Sequence, residues 1–134
     1  MSPALPADIA RIYDAFPADI RAALLDLRCM IFDVAAVDAR IGTVQETVKW
    51  GTPAYLTHKP KSGTTIRLGQ PKTGGYAIYT HCQTPLITEF QAQFPTEFSY
   101  DGGRAILLDP LQDPSHDLLQ MFISRALTYH LPKA

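Results

Sequence analysis

Trp50, Tyr55, Arg67, Tyr79, His81 and Arg104 are the candidates in this chain for holding a small anion or an aromatic ring. Rings would supply apolar walls, guanidinium groups would supply forked donors for a carboxylate or phosphate, and an imidazole would add a donor that switches near neutral pH. Trp50 is the only Trp, and it sits in "VKWGTPAY", between a Gly and a Pro. Two roles suit a ring there. As a hinge it covers one end of the core while Gly51 and Pro53 set unusual backbone angles; as a pocket wall it meets a ligand beside Tyr55.

Charge supports an anionic ligand. The chain carries a net charge of -1, but the distribution is uneven. Residues 1–46 hold seven acids against four bases, and residues 89–134 hold six against three. Between Thr47 and Thr88 there is no acid, while Lys49, Lys59, Lys61, Arg67 and Lys72 make that segment basic. A basic middle between acidic flanks attracts anions locally. Its bases are spaced out and the total is near neutral, which argues against a nucleic-acid partner.

Metal chemistry has a weaker basis in the residues. His81 and Cys82 are adjacent, and adjacent residues of an extended chain point to opposite faces, so they do not ligate one ion together. Cys82 is expected to be a small buried apolar residue. Asp19, Asp26 and Asp33 recur every seven residues and supply oxygen ligands that a hard cation or iron would accept. Seven helical residues span about 10 Å, however, which is too far for one shared ion. The acids then form a solvated face, with iron binding as the alternative. No G-x-S-x-G, phosphate-loop, dinucleotide or H-E-x-x-H motif is present, so no catalytic residue is assigned and no cofactor is expected.

These side chains need elements to position them. "PADI" at Pro6–Ile9 and again at Pro17–Ile20 has the chemistry of a helix start, and predicts helices over 6–15 and 17–36. In the second, Ile20, Leu24, Leu27, Ile31 and Val34 form one buried stripe. From Thr43 onward, short apolar runs punctuated by "KPKSG", "QPKTGG" and "DGG" read as antiparallel strands. Alternation places Leu56, Ile66, Leu68, Tyr76 and Ile78 on the core face, and Tyr55, Thr57, Arg67, Tyr79 and His81 on the other. A short helix is expected from Thr84 or Pro85. A last one, capped by Asp113 or Ser115, carries Leu118, Phe122, Ala126 and Tyr129 as its apolar stripe. The expected fold is a single α+β domain over residues 1–134, a two-layer sandwich in which N-terminal and C-terminal helices flank an antiparallel meander sheet.

With 134 residues and 46% hydrophobic content the chain is long enough for a core without disulfides, and two distant cysteines suit a reducing compartment. "MSPALPADIARIYDAF" lacks the charged-then-apolar pattern of a signal peptide, and no segment matches a membrane span. A cytoplasmic location without a membrane partner is the expectation.

The succession "ETVKWGTPAY", "GYAIYTHCQT" and "YDGGRAILL" before a final helix resembles the YdhG-like bacterial domains of unknown function (DUF 1801), over about residues 20–129. Trp50-Gly51-x-Pro53-x-Tyr55 is the most specific part of the resemblance. One branch of that family is described as frataxin-like, an intracellular iron chaperone, so the resemblance implies iron binding as an alternative. A small-molecule ligand is the first expectation, and a protein partner for the acidic helices is the third.

Overall fold

Proline opens both early helices in the computed structural model, which describes residues 3–132. Pro6 and Pro17 precede α1 (Ala7–Asp14) and α2 (Ala18–Val37), with Asp8 and Asp19 in the first turns where the helix dipole favours an acid. The α2 stripe is buried as its period requires: Ile20, Leu24, Leu27 and Ile31 are in the core, with Val34 packed against it.

The strands are β1 (Thr43–Lys49), β2 (Thr52–His58), β3 (Ile66–Gly69), β4 (Tyr76–Thr80), β5 (Ser99–Asp101) and β6 (Ala105–Leu108). They form one antiparallel sheet in the order β1-β2-β3-β4-β6-β5. Helix α3 (Leu86–Gln93) joins β4 to β5, and α4 (His116–Leu127) follows β6. Ser115 caps α4 by accepting the Leu118 N–H. Residues of all four helices share one apolar cluster with Tyr55, Ile66, Leu68, Ile78 and Ile106 of the sheet, so the helices lie on one face. Phe90 locks α3 to α4, its ring 5.2 Å from Phe122 and 5.7 Å from Phe98. The expected α+β two-layer architecture is the one the chain adopts.

One face assignment is corrected. Tyr55 is paired with Ile66, not with Arg67, and is fully buried on the helix side. Thr57 is buried on that side as well, and Leu56 takes the opposite face. The reason is polar: the Tyr55 hydroxyl has partners inside, whereas pattern alone favours the aliphatic side chain for the interior.

Candidate functional site

The helix-free face of the sheet carries Arg67 and Tyr79. These residues are direct cross-strand partners on β3 and β4, and the guanidinium carbon of Arg67 lies 5.1 Å from the centre of the Tyr79 ring. Stacking of this kind holds a guanidinium in place while leaving its edge donors available. The residues around the pair are small: Ala54 and Ala105 are buried in the same register row, Ala77 pairs with Gly69 two positions along, and Gly69 lies under the ring. A Cβ on Gly69 would sit 3.4 Å from Tyr79 Cε2 and 3.5 Å from Thr52 Cγ2, so glycine lets the ring settle onto the sheet.

Arg67 has little to satisfy it within the protein. Its Nη1 donates to Thr52 Oγ1 at 3.4 Å, and it pairs with no carboxylate among the described residues. Lys49 faces Thr52 across the β1–β2 pair and extends the positive surface toward the sheet edge. Arg104 borders the other side. It is exposed and bonded through Nε and Nη2 to Asp101 Oδ2 at 3.0 and 2.8 Å. Burial raises the Tyr79 phenol above its ordinary value, against the pull of both Arg67 and Arg104.

The other expected site residues lie elsewhere. Trp50 and Gly51 are the two loop residues of the β1–β2 hairpin, both left-handed with φ of 55° and 74°. That geometry is a type I′ turn, for which Asn-Gly is the favoured pair. The indole is 88% exposed, so it does not cover the core, which corrects the hinge reading; Gly51 does supply the unusual angle expected of it. The ring lines none of the three cavities described for the molecule. Tyr55 is withdrawn from the site by its burial. His81 lies just past β4 in an exposed turn, its Nδ1 accepting the Gln83 N–H at 3.1 Å. Cys82 is exposed in the same turn, not buried, because the turn leaves the sheet before the core resumes at Leu86.

Asp19, Asp26 and Asp33 are all exposed on α2. Asp19 and Asp26 border one small cavity with Tyr76 and His116, and Asp33 does not line it. Among the described residues, no group of three His, Cys, Asp or Glu side chains is placed to hold a metal ion.

A buried polar network escaped the sequence reading. Glu46 on β1 accepts two bonds from the Arg28 guanidinium, from Nε and, at 2.9 Å, from Nη2. It also accepts the Tyr55 hydroxyl at 2.7 Å, and the Tyr13 hydroxyl lies 2.6 Å from that of Tyr55. Arg28 further stacks over Phe32 at 5.0 Å. The available signal was an arginine inside the apolar stripe of α2, between Leu27 and Ile31. With its charges matched and its hydroxyls bonded, the network secures α1 and α2 to the sheet.

Comparison with protein-family models, curated proteins and solved structures returned no match. No helix among the described residues is long and apolar enough to cross a membrane.

Proposed function

We propose that this domain is a non-enzymatic binding module for a small anionic or aromatic ligand, held on the helix-free sheet face. Arg67 grips the acidic group, Tyr79 offers ring surface, and Lys49 and Arg104 provide the positive surround. The observation carrying this reading is the guanidinium of Arg67, oriented by the Tyr79 ring and without a carboxylate partner among the described residues. An oriented, unneutralised guanidinium loses little freedom when it takes up a carboxylate or phosphate. The small residues beside it give a planar ligand room to approach the sheet.

Titration of the labelled protein with benzoate and with inorganic phosphate, followed by amide chemical shifts, tests the proposal. Shifts concentrated on β2, β3 and β4 that disappear in Arg67→Ala support it. Shifts unchanged by that substitution, or none at millimolar ligand, refute it.

Trp50 favours a second reading, that of a protein-interaction domain. An indole 88% exposed at a hairpin tip has the form of an interface anchor, since buried Trp side chains dominate binding energies at contacts. Pull-down from lysate with the native chain and with Trp50→Ala distinguishes it: a partner lost on substitution supports an anchor, and identical recoveries exclude one.

A further inference from the structure

A cleft of about 900 Å³ is lined by residues of α3, of α4 and of the chain that follows α4, away from the Arg67 face. We infer that it is a binding site for a small amphipathic monocarboxylate, with Arg125 holding the carboxylate and the apolar wall holding the tail. This goes beyond the proposed sheet-face activity and does not depend on it.

Three features carry the inference. The first is the division of the lining. Leu86, Tyr129, Leu131 and Pro132 present carbon surface, whereas Arg125 and Gln93 present polar atoms from facing helices. Ligand sites of this size combine mostly apolar walls with a few oriented polar groups.

The second is the charge count. Arg125 bonds through Nη1 to Gln93 Oε1 and pairs with no carboxylate among the described residues. Arg40, which also borders the cleft, is already forked onto Asp38 at 2.8 and 3.0 Å. With Asp38 counted against Arg40 and Glu89 against Arg125 the lining is neutral overall, so Arg125 offers a guanidinium with no carboxylate bonded to it while Glu89 disfavours any ligand of higher negative charge. A monoanion matches this balance and a phosphate ester does not.

The third is that the wall is built, not draped. Past α4 the backbone is tied down: His130 N–H donates to Ser62 O at 2.8 Å and Leu131 N–H to Thr128 O at 2.9 Å. The Tyr129 ring is braced edge-on by His130 at 5.1 Å. Ser62 is itself anchored, its hydroxyl donating to Leu127 O at 2.8 Å. The walls thus have their shape before any ligand arrives, which lowers the entropic cost of binding.

The test uses octanoate and 1-octanol as probes on the native chain, with amide shifts as the readout. Octanoate is expected to move amides within 85–93 and 125–132, and octanol to bind more weakly for want of the charge. Arg125→Gln should weaken octanoate at least about tenfold, while Arg125→Lys keeps part of the affinity. A melting curve for each variant confirms that the fold is intact. Equal binding of octanoate and octanol, unchanged affinity in Arg125→Gln, or shifts confined to the Arg67 face would overturn the inference. Because octanol and octanoate are compared on the unaltered protein, the result does not depend on any variant folding.

Discussion

The hydroxyls of Tyr13 and Tyr55 meet 2.6 Å apart although 42 residues separate them in the chain. Each hydroxyl has one proton to give. Since Tyr55 donates to Glu46 Oε2, Tyr13 must donate to Tyr55, and the proton order runs from helix α1 through the sheet to the carboxylate. Arg28 then neutralises that carboxylate, with its side chain 4% exposed and that of Glu46 7%.

Removing one member of this ion pair should be costly. Arg28→Met leaves the Glu46 carboxylate buried without its counter-charge and is expected to destabilise the fold by about 3–5 kcal/mol in urea unfolding. The double variant Arg28→Met, Glu46→Met should lose clearly less than the sum of the two single variants, because two apolar side chains replace a matched pair. Additive losses would mean that the two groups are not coupled.

Alkaline pH should unfold the protein through the same tyrosines. Burial is the largest influence raising both phenols above their ordinary value of 10.0, and the Glu46 charge acts in the same direction. The folded state therefore retains protons that the unfolded chain releases. The stabilisation is complete below pH 10.0 and falls as pH rises above it. Unfolding free energies measured across that range should decline, and Tyr13→Phe should flatten the decline; an unchanged profile in that variant would exclude Tyr13 as a contributor.

Trp50 occupies a left-handed backbone position with its ring in solvent. A bulky side chain there costs about 1–2 kcal/mol, and Asn before Gly is the residue this turn prefers. Trp50→Asn should raise the melting temperature. A fall would show that the indole packs against the fold in solution.

Thr80 presents a buried hydroxyl oxygen that has no hydrogen-bond partner among the described residues. Thr80→Val keeps the shape and removes the unsatisfied group, and is expected to add about 1 kcal/mol of stability. A loss of stability on substitution would show that the hydroxyl is satisfied in solution.

Particular residues show how far local pattern reaches. Pro6, Pro17 and Ser115 mark helix starts by chemistry confined to a single turn, so the helices were legible within a residue or two. The Gly-rich "QPKTGG" and "DGG" segments marked hairpins for the same reason. Arg67 and Tyr79 share the open face because each lies in a strand whose alternation continues to its end. Tyr55 takes the face opposite to the expected one because β2 sets an aromatic residue on one face against Ala54 and Leu56 on the other, and the choice between them depended on Glu46 and Tyr13.

The sequence by itself determined the order and type of the elements and the acid-free basic middle, since these follow from composition and from neighbours within a turn or a hairpin. Only the tertiary structure decided which side of β2 faces the helices, that Trp50 stands clear of the core, and that Arg125 borders a cleft with Leu86 and Gln93. Those outcomes depend on strand register and helix packing, which bring together groups distant along the chain, and no local periodicity encodes that meeting.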